Sequence, residues 1–190
     1  KTCILVEQSD RQLLWEPFSN IYHGVYRTER NVYKNAYGNK VIFEEKNADL
    51  ALTFRYQWSA CERFGFVRHA TLSSSAGSAT QLRVLDGVQN VLPYGVPEGL
   101  QSGASNLVDA YKKCELEGDV LGVYALSALI SDKAEPSESL KANVVWSIGM
   151  EQPNVLLCSK QVDVFRTGSS VVTERDIKAE RGAYFVQSDF

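Results

Sequence analysis

Long apolar stretches are missing from this chain: no run of about 20 such residues occurs, so no membrane-spanning helix is expected. Metal-ligand spacings are missing too. Cys3, Cys61, Cys114 and Cys158 form no C-x-x-C pair, and the two histidines, His23 and His69, match no finger spacing, so no metal site is expected. There is no nucleophile elbow of the G-x-S-x-G kind. Gly95, Gly99 and Gly103 lack the strand–turn–helix order and the lysine of a phosphate-binding loop, which leaves no cofactor motif. Basic residues are neither abundant nor clustered. The net charge is −3, and Lys112-Lys113 is the single adjacent basic pair, best read as a solvated face. Nucleic acid attracts concentrated Lys and Arg, so neither it nor a membrane is an expected partner.

What is present describes a globular domain. Hydrophobic residues make up 44% and charged residues 23% of 190 residues. A chain of this length buries about 70% of its unfolded surface, enough for one β-sandwich domain spanning 1–190. A domain of this size has no need of disulfides, so buried free thiols are favoured over two bridges, with the redox compartment left open. Lys1 stands where a methionine would start a chain, and Met150 is the sole methionine, which suits processing or excision from a longer protein.

Period-two patterning dominates. Leu50, Leu52, Phe54, Tyr56 and Trp58 alternate with Ala51, Thr53, Arg55 and Gln57, and only an extended chain puts that whole comb on one face. The turn Gly38-Asn39 between Tyr33–Tyr37 and Val41–Glu45 predicts a hairpin. Further strands are predicted at Cys3–Val6 (a sheet edge), Arg63–Leu72, Gln81–Leu92 with a break at Asp86-Gly87, Val120–Ile130, Leu140–Met150 and Ala183–Val186. Val120–Ile130 reads as buried on both faces. Ala110–Leu116 suits a helix or a strand equally. Short helices are predicted from Ser102 to Asp109 and from Ser159 to Arg166, the latter stopped by Gly168. Asp132–Ser139 reads as a polar loop. Many short strands and few helical windows give an all-β fold with minor α, an antiparallel β-sandwich with one or two short helices. The tail 169–190 is where a junction towards a following domain would lie.

No catalytic set emerges. Glu44 and Glu45 are adjacent, so on a strand they face opposite ways and cannot act as one pair. Glu115, Glu117 and Asp119 read as a solvated hairpin end, and Glu135 and Glu138 as loop charges. His69 and His23 could act as general acids only beside a carboxylate in a cleft. The aromatics of the first third suit cross-strand packing better than a sugar platform. Pro93–Gly99 carries two prolines and two glycines, so it is a shaped loop presenting Tyr94 and Glu98. With Arg55 and Gln57 on the outward half of the comb strand, these four are the candidate binding residues.

Leu85–Pro97 (LDGVQNVLPYGVP), Asn106–Lys113 (NLVDAYKK) and Ala134–Glu138 (AEPSE) resemble segments of the N-terminal β-sandwich of large bacterial proteins of the cellobiose phosphorylase type, over residues 50–187. The resemblance implies a super-sandwich domain, bacterial carbohydrate metabolism, and an adjacent (α/α)-barrel in the same polypeptide that holds the catalytic acid. It implies that this chain alone has no catalytic residues. Tyr94 and Glu98 would be the loop residues reaching towards the barrel's oligosaccharide site. A complete super-sandwich is longer than 190 residues, so on this reading some strands are missing and the Ser159–Arg166 helix would open the linker. A free-standing carbohydrate-binding module and an aldose epimerase-like enzyme are the alternatives.

Overall fold

The computed structural model describes residues 1–8, 11–130, 135 and 137–190. Half of the predicted polar loop at 132–139, including residues 134 and 136 of the AEPSE segment, lies outside the described residues. The chain divides into two compact units, residues 1–14 with 81–190 and residues 15–80.

The first unit is an antiparallel sandwich. Its larger sheet contains β1 (Thr2–Gln8), β2 (Arg11–Trp15, whose last residue belongs to the second unit), β7 (Leu82–Val91), β11 (Asn154–Leu156) and β13 (Gly182–Asp189), in the order β11-β13-β7-β1-β2. The smaller contains β8 (Lys112–Glu117), β9 (Leu121–Leu126), β10 (Asn143–Trp146) and β12 (Asp176–Lys178), in the order β10-β9-β8-β12. Cys114, Leu116 and Tyr124 of the smaller sheet pack against Val155, Leu157, Tyr184 and Val186. Alternation turns Leu156, Ala183 and Phe185 to the opposite face, where Cys3, Leu5 and Leu85 meet Val162 and Phe165 of helix α3 (Val162–Arg166). The larger sheet is therefore covered on both faces, which explains why CILV and AYFV are unbroken apolar runs.

The second unit is a four-stranded meander: β3 (Thr28–Lys34), β4 (Lys40–Asn47), β5 (Leu52–Cys61) and β6 (Gly65–Ser74), each antiparallel to the next. The predicted hairpin forms as β3–β4, but its first arm overlaps the expected 33–37 only at residues 33 and 34, and residues 35–39, with Gly38 at φ 72°, make the connection in place of a two-residue turn. The comb is β5 from Leu52 onward. Ala51 has φ 54°, so Leu50 is buried in the preceding turn and not in the strand.

Several predicted elements differ. Cys3–Val6 is no sheet edge, because β1 lies between β7 and β2. Asp86-Gly87 does not break its strand. Residue 87 sits inside β7 because a Cβ there would lie 2.0 Å from the Tyr184 carbonyl oxygen, so the glycine admits the β13 backbone. Ala110–Leu116 is both alternatives in turn: helix α2 (Ser105–Tyr111) runs directly into β8. With α1 (Glu98–Gly103) and α3 there are three short helices among the described residues, and the last ends before Gly168 at φ 80°. Strand Leu140–Met150 contracts to β10, and β11 had no sequence prediction at all. The tail 169–190 supplies β12 and β13 to the first unit.

The four cysteines are free thiols, Cys61 exposed and the others buried. Burial pushes Cys114 up to about 12 and Cys158 up to about 11, which makes both poor nucleophiles.

Candidate functional site

Register assigns each side chain of the meander to a face. Thr28, Asn47 and Leu52 stand in one cross-strand row; Arg30, Glu45, Phe54 and Leu72 form the next, and Val32, Phe43, Tyr56 and Ala70 the one after. The apolar comb thus continues sideways into two buried polar residues, Glu45 and Asn47, each 1% exposed.

A buried carboxylate needs donors. Glu45 has three: Trp15 Nε1 donates to Oε1 at 2.9 Å, and the Phe18 amide and Arg30 Nε donate to Oε2 at 2.7 and 2.6 Å. Arg30 also donates to Asn20 Oδ1 at 2.9 Å and to the Ser19 carbonyl at 2.8 Å, so one guanidinium ties sheet to loop. Phe18 is held at φ 64°, costly for a bulky residue, with its ring edge-on to Tyr56 at 5.2 Å. Phe43 stacks on Tyr56 at 4.9 Å, and the Arg68 guanidinium lies 4.8 Å from the same ring centroid. The loop from Glu16 to Arg27, so anchored, rims an open cleft of about 1110 Å³ whose wall includes Glu45, Asn47, Leu52, Tyr22, His23 and Tyr26.

The opposite face carries two of the four candidate binding residues. Arg55 forms an ion pair with Glu44, which also accepts from Asn31 Nδ2 at 3.1 Å and the Tyr33 hydroxyl at 3.2 Å, with Lys46 Nζ 3.6 Å away. Gln57 donates to Ser59 Oγ at 3.2 Å. Arg55 and Gln57 therefore share a face, but the guanidinium neutralises a fully buried carboxylate. Burial alone would raise the Glu44 pKa; hydrogen bonds from Asn31 and Arg55, and the charges of Arg55 and Lys46, outweigh it and hold the carboxyl below the usual range. A lowered folded value means the stabilisation is complete above the unfolded pKa and is lost as pH falls through the folded one. Arg55→Ala is expected to cost about 1 kcal/mol at neutral pH, the low end for a buried group losing a partner, since three others remain. The gap between parent and variant should narrow on acidification as Glu44 takes a proton. Urea unfolding at a series of pH values measures this, and a gap that ignores pH would refute the assignment.

Tyr94 and Glu98 belong to the first unit. Tyr94 is 48% exposed, with Lys141 Nζ 5.0 Å from its ring centroid, and Glu98 is exposed in the first turn of α1. Buried Lys112 fixes the helices behind them, its Nζ donating to Asp109 Oδ1 at 2.7 Å and Gln101 Oε1 at 3.0 Å, while Arg181 Nε reaches Asp109 Oδ2 at 3.1 Å. Lys112 is thus a clamp, not part of a solvated basic face, whereas Lys113 pairs with Glu115 at 2.6 Å. His69 stands opposite Gln57 on the Glu44 face, and His23 lines the cleft beside the other face.

Glu44 and Glu45 do face opposite ways, as adjacency on a strand requires. Sequence reasoning missed that both are buried. The signal was available in β4, where Val41, Phe43, Glu45 and Asn47 keep one phase, so the last two inherit a core position. Among the described residues, no group of three or more His, Cys, Asp or Glu is placed to hold a metal ion. Comparison with protein-family models and with curated proteins finds no match for this chain.

Proposed function

We propose that this chain is a non-catalytic N-terminal sandwich domain, of the super-sandwich kind, from a carbohydrate-active enzyme of the glycoside phosphorylase or hydrolase type. Its partner is an (α/α)-barrel of the same polypeptide, which it braces and whose oligosaccharide site it helps to shape through the Tyr94–Glu98 loop. One observation carries the reading. The two fully described segments that resemble the cellobiose phosphorylase type, Leu85–Pro97 and Asn106–Lys113, lie at the two ends of one connection: β7 and the proline loop and then, beyond α1, α2 and the start of β8. That connection is the crossover from one sheet of the sandwich to the other, and it presents Tyr94 at its exposed bend.

The isolated chain is expected to show no turnover of cellobiose or maltose, with or without phosphate, and the reading frame downstream of Phe190 is expected to encode a helical barrel of several hundred residues. Phosphorolysis by the chain alone, or a frame that ends without a barrel, would sink the proposal.

A further inference from the structure

The cleft of the second unit is used by none of the foregoing, and its chemistry is specific. Its wall holds three carboxylates, Glu16, Glu29 and Glu45, and three cations, Arg27, Arg30 and Lys46. The charges balance, and they are largely occupied with each other: Glu45 takes Arg30, Lys46 Nζ lies 3.7 Å from Glu29, and Arg27 is held by Asp49 at 2.6 Å. An anion would find no uncommitted positive field there. A cation would find Glu45 already saturated by three donors.

One donor is left over. Asn47 Oδ1 accepts from the Asp49 and Leu50 amides at 3.2 and 3.1 Å, which fixes the orientation of the side-chain amide. Among the described residues, its buried Nδ2 has no hydrogen-bond partner. Asn47 lines the cleft, as do its cross-strand neighbours Thr28 and Leu52, so the residue that carries the orphan donor is part of the cleft wall. A buried donor left unpaired costs about 1–3 kcal/mol, and an oxygen seated against that wall would recover it. Tyr22 and Tyr26, both half-buried, supply ring faces on the rim. Burial, then the neighbouring Tyr22 and Asp49, raise the Tyr26 phenol, so it stays a neutral donor. Two non-glycine residues in the left-handed region, Ala51 in the wall and Phe18 in the loop, add backbone strain of the sort that gathers at ligand sites.

We propose that this cleft binds a neutral, hydroxyl-rich ligand, a mono- or oligosaccharide, with Asn47 Nδ2 donating to a sugar oxygen and Tyr22 and Tyr26 against the sugar's apolar face. The narrowing from neutral polyol to saccharide rests on the proposed domain role; the cleft and its charge balance do not.

The test is titration of the full chain with glucose, cellobiose and maltose, and with glucose 6-phosphate as the charged control, followed by amide chemical shifts and calorimetry. Saturable binding is expected for at least one neutral sugar, with shifts centred on residues 19–30 and 45–53, and at least tenfold weaker binding of the phosphate ester. Asn47→Asp keeps the Oδ1 acceptor for the Asp49 and Leu50 amides but removes the donor; Tyr22→Ala removes a rim ring without touching the sheet. Each should weaken binding at least tenfold. No saturable shift with any of the three sugars means that a water or nothing meets the donor, and it overturns the proposal. So does equal binding of the phosphate ester, or affinity unchanged in both variants. Phosphorolysis by the isolated chain would overturn the domain role while leaving cleft binding intact, so the two failures are separable.

Discussion

Gly87→Ala is expected to prevent the first unit from folding. The added Cβ would lie 2.0 Å from the Tyr184 carbonyl oxygen, 2.7 Å from Phe185 Cα and 2.9 Å from Phe185 Cδ1. Two of these three atoms are backbone of β13, which is paired with β7 along its length, so relief requires separating the two central strands of the larger sheet. Ordinary overpacking costs about 1–3 kcal/mol because side chains can shift; here the loss should exceed that range. Marginally stable domains do not survive such a loss. Gly99→Ala is the control. Residue 99 lies inside α1, a Cβ there meets nothing within 4 Å, and alanine is the better helix former by about 1 kcal/mol. Soluble yield and amide protection of β7 and β13 are the measurements. A Gly87→Ala protein with parent-like protection would show that β13 does not approach β7 as closely as described.

The same residue shows where the sequence was legible and where it was not. Alternation locates β5 and β6 closely, and the Gly38-Asn39 signal finds the β3–β4 hairpin but puts its first arm at 33–37, where the strand runs Thr28–Lys34. Alternation fails for strands covered on both sides. There the neighbours in space decide: the pattern of Cys3–Val6 suits an edge and that of Ala183–Val186 a short final strand, yet β1 and β13 both lie inside the larger sheet. Asp-Gly is a turn dipeptide by local chemistry, and only the passing β13 backbone explains why this one is extended. Arg55 and Gln57 were correctly placed on the outward face, but alternation could not reveal that Arg55 is engaged by a buried acid from the next strand. The cleft was illegible for a related reason: it is built by a loop, Glu16–Arg27, that has no period, and by Glu45 and Asn47, whose burial depends on what that loop covers.

Glu45→Leu is expected to destabilise the second unit by about 1–3 kcal/mol, the range for leaving a buried donor without its acceptor, because Trp15 Nε1 and the Phe18 amide both lose theirs. The apolar replacement fits the comb face in size but accepts nothing. Arg30, 41% exposed, can turn to water; Trp15 Nε1, in a residue 1% exposed, cannot, and the Phe18 amide loses the acceptor that holds its left-handed backbone. Glu45→Gln keeps one accepting oxygen and should lose less. Replacing both residues in Glu45→Leu/Arg30→Met should recover part of the single-variant loss, because a guanidinium then no longer stands half-covered beside an apolar side chain, though the loop would still lack its tie to Ser19 and Asn20. Urea unfolding followed by tryptophan fluorescence should give the order parent, Glu45→Gln, double variant, Glu45→Leu from most to least stable. If Glu45→Leu falls within 1 kcal/mol of the parent, the carboxylate is not what anchors the loop. The same variants bear on the cleft. Its rim is held by Arg30 through Glu45, so sugar affinity should fall in Glu45→Leu and stay lost in the double variant even where stability returns; affinity that tracks stability instead would place the rim's support elsewhere.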